Sequence, residues 1–334
     1  TNMGDPAVLQ DFLAWGITEY PADHNLIVLW NHGNGWDDED IYRAAQRVQS
    51  QFVRGTKGVS SLGKADLAYA RIVATRFRRC LFQSTVNAAL TVRGIAYDDQ
   101  ARDFLDNKEV KKVLTAIKKK LRRKIDVLGM DACLMNMMEV AYQVRDSVAF
   151  IAGSEETEPG AGWPYHTILS DLAANPNMAP RDVSALIVKK YLASYAANSN
   201  VTQSALDQSK VAVARLAVEV LGKALHAGLT PASTYQAIHR ARTRVQCYAR
   251  QDYVDLVDYC KQLKALKVPL PLKAVCSGVI AAVAPFVVDN GSKGAAVNRS
   301  HGVSIYFPTG SVSDLYKTLD FAKKSQWAKF INAF

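Results

Sequence analysis

The chain has 334 residues, 49% of them hydrophobic and 22% charged, with 41 Lys/Arg against 31 Asp/Glu and a net charge of +10. That balance belongs to a globular protein able to bury a substantial core, as one large domain or two smaller ones. No apolar run approaches the roughly 20 residues of a membrane helix; the longest candidate, Val275 to Val288, holds Ser277 and Pro285.

The opening TNMGDPAVLQDF lacks the charged-then-apolar pattern of a signal peptide. Asp11 to Tyr20 predict a helix. Leu26 to Trp30 carry almost nothing polar, as a strand buried on both faces of a parallel sheet requires. That run stops at His32, followed by Gly33, Asn34 and Gly35, and then by Asp37, Asp38, Glu39 and Asp40, which match no calcium-loop spacing and read as a solvated acidic turn. Residues 43–92 carry nine Lys/Arg against Asp66 alone, and Gly55, Gly58, Ser60, Ser61 and Gly63 mark an exposed loop within them. GIAYDDQARDFLD at 94–106 is loop-like.

Residues 108–124 again hold nine Lys/Arg against one acid, Glu109, so the rest of the chain is net acidic. They predict an amphipathic helix with Val110, Val113, Leu114, Ile117 and Leu121 as its apolar stripe and a solvated face at Lys118–Lys120 and Arg122–Lys124. Ile125 to Met130 predict a second buried strand, which stops just short of Cys133, and a helix is expected to begin near Leu134. VAFIAGSEE at 148–156 reads as another buried strand ending in acids. Helical patterns then dominate from Arg181 to Gln262, AAVAPFVVDN passes from helix to strand, and HGVSIYFP at 301–308 is a strand. Strand–helix alternation through residue 205 predicts a largely parallel α/β core over residues 1–205, with 43–93 as a basic insertion, and a mainly helical subdomain with late strands over 206–334.

Ligands of open α/β sheets bind outside the carboxyl ends of the strands. His32 and Cys133 both sit at such ends, and a His and a Cys delivered to one sheet edge make a nucleophile–base pair. The glycines after His32 let the backbone turn sharply and bring its N–H groups near a bound carbonyl. A helix starting beside Cys133 would lower its thiol pKa, and so would His32 as imidazolium. Asp131 stands two residues before Cys133 and faces the same way on extended backbone. A carboxylate there opposes thiolate formation, so it either recognises a cationic substrate side chain or caps the following helix. The other cysteines, Cys80, Cys247, Cys260 and Cys276, show no C-x-x-C spacing and read as core residues, neither a disulfide framework nor a zinc site.

NHGNGW and DACLM, together with GSEETEPGAGWPY, the terminal SIYFP, the opening NMGDPAVLQDFLAWGITEYPADHNLIVLWNHG and GIAYDDQARDFLDNKEV, closely resemble the clostripain family of cysteine endopeptidases, of the caspase-like clan that includes gingipains, legumain and separase. The resemblance spans nearly the whole chain with its motifs in order. It implies a caspase-like α/β/α sandwich and a His32–Cys133 dyad, with the N–H groups of Gly33 and Cys133 as oxyanion hole. It further implies cleavage after Arg or Lys, read by Asp131 and by a second acid for which Glu156 and Glu158 are the candidates. No cofactor is required for the chemistry, though the family often responds to calcium, whose ligands here are unknown. Self-cleavage after a basic residue between the two motifs is expected, at Arg54, Lys57, Lys64, Arg71, Arg76, Arg78, Arg79, Arg93 or Arg102. The expected partners are peptides or proteins bearing Arg or Lys, with neither nucleic acid nor membrane. A monomer, whole or as two cleaved chains, is expected, in a secreted or periplasmic, cell-envelope setting. Two rivals come from other classes. One is a catalytically silent caspase-like module presenting its basic face to acidic partners; intact His32, Cys133 and Asp131 argue against it. The other is a nucleic-acid binder, and the basic segments lack the interleaved aromatics or binding motif that this demands.

Overall fold

The computed structural model describes residues 5–30, 33, 35, 36, 105 and 107–334. Within them, a five-stranded sheet has the order β1-β2-β3-β4-β6. Its strands are β1 (Leu26–Trp30), β2 (Ile125–Asp131), β3 (Val148–Gly153), β4 (Val201–Asp207) and β6 (Val287–Lys293). The first three are parallel, and β4 is antiparallel to both its neighbours, so four of the five run the same way. In register, Trp30 lies opposite Asp131, which puts the ends of β1 and β2 side by side.

Helix α1 (Pro6–Glu19) starts five residues earlier than the sequence suggests, because Asp5 caps it by accepting from the Ala7 N–H at 2.8 Å, and Pro6 fills its first turn. The basic amphipathic helix is α2 (Asn107–Leu121), and Val110, Val113, Leu114 and Ile117 are all at most 1% exposed. Burial of such side chains contributes about 1.5–3 kcal/mol each, while the lysines of the last turn stay at the surface. Helices α1, α2 and α3 (Met138–Val144) cover one face of the sheet; α4 (Tyr165–Ala174) and α5 (Pro180–Ser194) cover the other. The main core lies on the first face with Leu128, Met130 and Ile151; the second is built on Val127, Ala152, Trp163, Ile187 and Tyr191.

The later part adds α6 (Val211–Ala227), α7 (Ala232–Arg244), β5 (Tyr253–Asp255), α8 (Leu256–Ala265), α9 (Leu270–Val283), β7 (Ser304–Tyr306) and α10 (Gln326–Ala333). β5 and β7 form a separate antiparallel pair. The division expected at 205/206 falls inside β4; the strand beside it, β6, comes from the second part, and the main core runs from Leu13 to Ile331. The helical pattern expected from Arg181 to Gln262 is broken twice, by β4 and β5. β4 is polar yet fully buried at Thr202, Gln203 and Ser204, because two of these side chains bond the loops of the site. Among the described residues no helix is long and apolar enough to cross a membrane.

Candidate active site

β2 delivers Asp131 to the sheet edge, and a tight turn then carries Cys133. Helix α3 begins only at Met138, with Met137 as its uncapped N-terminal boundary. The expected helix start near Leu134 is therefore wrong, and with it the expectation that a helix N-terminus lowers the thiol pKa. Leu134 instead adopts φ +64°, in the left-handed region, a conformation costing a side-chain-bearing residue roughly 1–2 kcal/mol. Hydrogen bonds from three strand regions offset it. The Leu134 N–H donates to Glu156 O at 3.1 Å, Asn136 N–H to Ser154 O at 2.9 Å, and Ser304 N–H to Asn136 O at 3.0 Å. The Asn136 amide donates to Ser204 O at 2.9 Å and to its hydroxyl at 2.5 Å.

The Cys133 thiol is partly buried, and burial pushes its pKa up; the N–H groups of Glu158 and Gly33 push back, and the Glu156 carboxylate raises it further. The Glu158 N–H lies 3.2 Å from Sγ. Gly33 rests on the Cys133 peptide so closely that a Cβ there would fall 2.2 Å from Cys133 O and 3.0 Å from its N, which only glycine permits. Gly35, at φ +62°, is as tightly placed, its missing Cβ 2.4 Å from the Met137 sulfur. The backbone at Gly33 thus lies directly against the Cys133 peptide. His32 lies outside the described residues, as do Cys80, the Asp37–Asp40 cluster and all nine self-cleavage candidates from Arg54 to Arg102.

Asp131 is 2% exposed. It caps no helix; its Oδ2 accepts from the Tyr165 hydroxyl at 2.6 Å and the Trp163 N–H at 3.2 Å. Beside it, Glu158 has both oxygens out of solvent, and neither closes a hydrogen bond of good geometry. Burial, then the adjoining Asp131, holds the Glu158 carboxyl well above the usual carboxylate range. The same two acids, after burial, raise the Tyr165 phenol. Gly162, at φ +60°, closes the wall: a Cβ there would stand 3.0 Å from Asp131 Oδ2 and 3.4 Å from the Trp30 indole nitrogen. The Tyr195 hydroxyl fixes Gly162 O at 2.8 Å. Two carboxyls in one dry pocket repel each other, and a cationic side chain between them would satisfy both.

Glu156 does not join this pair. Its Oε1 accepts from Thr157 N–H at 2.7 Å and Ala249 N–H at 3.0 Å, pointing toward the later part of the chain. Reading from sequence missed Trp30, Trp163 and Tyr165 as pocket residues, though the last two stand in the GWPY motif that signals them. It also missed Thr202, whose Oγ1 accepts the N–H groups of Glu155 and Glu156, both at 3.0 Å. Among the described residues no three His, Cys, Asp or Glu side chains converge as a metal cage.

A family model described as the clostripain family, peptidase C11, matches residues 1–51 and 83–334. Clostripain from Hathewaya histolytica is 24% identical over 178 residues, which are 52% of this chain and 25% of that protein, so the match spans about a quarter of the relative's length. Among solved structures, an inactive zymogen C11 protease from Parabacteroides distasonis has a TM-score of 0.63 at 18% identity, covering 97% of this chain and 77% of that one. A secreted C11 cysteine protease from Bacteroides thetaiotaomicron, bound to an irreversible peptide inhibitor, gives 0.61 at 16% identity, covering 98% and 80%. At these identities the likeness is one of fold, and it agrees with the caspase-like α/β/α sandwich expected from the sequence.

Proposed function

This chain belongs to the clostripain family, and on that premise we propose that it is a cysteine endopeptidase cutting after Arg or Lys. The observation carrying the specificity is the buried Asp131–Glu158 pair beside the Cys133 turn. An entering guanidinium or ammonium displaces the shared repulsion and meets Asp131 already oriented by Tyr165 and Trp163. Cys133 as thiolate attacks the carbonyl carbon; the developing oxyanion takes the N–H groups of Gly33 and Cys133. His32 protonates the departing amine, and water then releases the acyl group. Burial raises the thiol pKa, so the nucleophile ionises when substrate and imidazolium compensate that burial. Self-cleavage after a basic residue between His32 and Cys133 follows from the same specificity, as a cut in cis or trans. A secreted or cell-envelope location is the matching expectation, since one structural neighbour is itself described as secreted.

The test compares wild type, Cys133→Ala and Asp131→Asn on matched peptides ending in Arg, Lys or Leu, with intact mass recorded alongside. Wild type is expected to cut the first two and to lose mass as a fragment. Cys133→Ala should do neither. Asp131→Asn should fall about 100-fold in kcat/KM on Arg, the equivalent of about 3 kcal/mol, while its thiol still reacts with iodoacetamide. Equal cutting after Arg and Leu would sink the specificity, and a wild type inert to every peptide would favour the silent binding module.

A further inference from the structure

The loop after β3 does most of the holding at the Cys133 turn: Ser154 O, Glu156 O and the Glu158 N–H each engage it. Thr202 grips this loop from inside the sheet. On the opposite side it is gripped by a side chain the chemistry above does not use. Glu155 is 1% exposed; its Oε1 accepts from the Tyr248 hydroxyl at 2.7 Å and its Oε2 from the Gly302 N–H at 3.0 Å. The same Tyr248 hydroxyl lies 3.4 Å from Oδ2 of Asp255, fully buried at the end of β5, so the two carboxyls share one neighbour.

Asp255 is itself occupied. Oδ1 accepts from Asp258 N–H at 2.6 Å and lies 3.0 Å from His301 Nδ1; Oδ2 accepts from the His301 N–H at 2.5 Å. His301 Nε2 is 2.6 Å from Lys261 Nζ. The His301 ring thus stands between Asp255 and Lys261, one nitrogen on each. The groups facing the pair are therefore Tyr248 from the loop before β5, Asp258, Cys260 and Lys261 from α8, Arg299 through Asp258, and His301 from the loop before β7. Among the described residues no cation is paired with Glu155. Two carboxyls in contact in such a dry place ionise one at a time, the second far less readily.

We infer that Glu155 and Asp255 hold one proton between them and in that state position the 154–158 loop against Cys133, so that losing the proton withdraws the loop and the activity with it. Glu155 and Asp255 are positioning residues: they touch no substrate, and they act through Ser154, Glu156 and Glu158. The inference rests on the reading of Cys133 as nucleophile, but its physical content is the loop.

Glu155→Gln tests it. A glutamine with its oxygen on the Gly302 N–H can aim its amide N–H at Asp255 and the Tyr248 oxygen, and so carries the shared proton permanently. Two quantities are followed against pH: kcat/KM on an Arg peptide, and hydrogen-exchange protection of the Leu134 and Asn136 amides, corrected for intrinsic exchange. Wild type is expected to lose protection roughly tenfold or more across an alkaline step, with kcat falling in the same step and KM nearly unchanged. In Glu155→Gln both should stay flat through that range. Wild type and Glu155→Gln superimposing at every pH in both measurements would overturn the inference. If no peptide is cut, the exchange measurement still decides about the loop, so failure of the protease reading and failure of this one remain distinct.

Discussion

Glu139, on α3, is 0% exposed, and it makes the stability of this protein depend on pH in a calculable way. Its Oε1 accepts from the Tyr306 N–H at 3.1 Å and the Tyr316 hydroxyl at 2.9 Å, while Oε2 has no partner. Burial outweighs those bonds and pushes the carboxyl up to about 7 from its ordinary 4.5. Below pH 4.5 folded and unfolded chains both hold the proton, and the contribution of this group is complete. Between 4.5 and 7 the unfolded chain gives up its proton while the folded one keeps it, so stability falls as pH rises. Above 7 the folded chain ionises too and the loss stops. At about 1.4 kcal/mol per pH unit, the total is about 3 kcal/mol. Glu139→Gln removes the titration and keeps the acceptor for Tyr306 and Tyr316. The assay is urea unfolding at several pH values from 5 to 8, in a Cys133→Ala background so that self-cleavage cannot intervene. From pH 5 to pH 8 the glutamine variant should gain about 2.5 kcal/mol relative to its parent, seen in the midpoint with m unchanged. Parallel curves for the two proteins would refute the reasoning.

Two further outcomes follow from the geometry. Gly33→Ala places a methyl group 2.2 Å from Cys133 O; the Gly33 backbone must retreat, and losing one oxyanion donor should lower kcat about 100- to 1000-fold. Full activity would show that the Gly33 N–H has no part in the reaction. Thr202→Val leaves the Glu155 N–H buried without an acceptor, the Glu156 N–H retaining Ser154 Oγ at 3.1 Å, and should cost about 2 kcal/mol in urea unfolding; an unmoved midpoint would contradict it.

The parts of the fold that the chain spells out locally are those whose burial matches their composition. Ile125–Met130 is apolar because helices cover both sheet faces, and the stripe of α2 repeats at helical spacing because one side meets the core; Leu26–Trp30, expected to be buried on both faces, buries only Ile27 and Leu29 and leaves Trp30 70% exposed. β4 defeats that logic. Thr202 and Ser204 are polar and buried because they complete the hydrogen bonding of loops more than 45 residues away in sequence, information no local window contains. The run from Leu134 to Met138 has helical composition, yet three long-range hydrogen bonds bend it into a turn first. At the site, Cys133 and Asp131 announce themselves by position at a strand end. Choosing Glu158 over Glu156 needed the third dimension: the two acids are two positions apart, and only the chain path past Ala249 sends Glu156 away.

The turn around Cys133 is stitched by Ser154, Ser204 and Ser304, the last of them 168 residues downstream of the Asn136 carbonyl it meets. Contacts of such separation form late, since long loops must close before they are rewarded. On a ribosome the nucleophile emerges well before the strand that shapes its turn. A chain growing from its N-terminus therefore carries Cys133 through much of its synthesis without the scaffold that arranges the N–H groups around the sulfur. Dependence of the turn on a late strand delays the arrangement of the thiol until β7 has been made and docked.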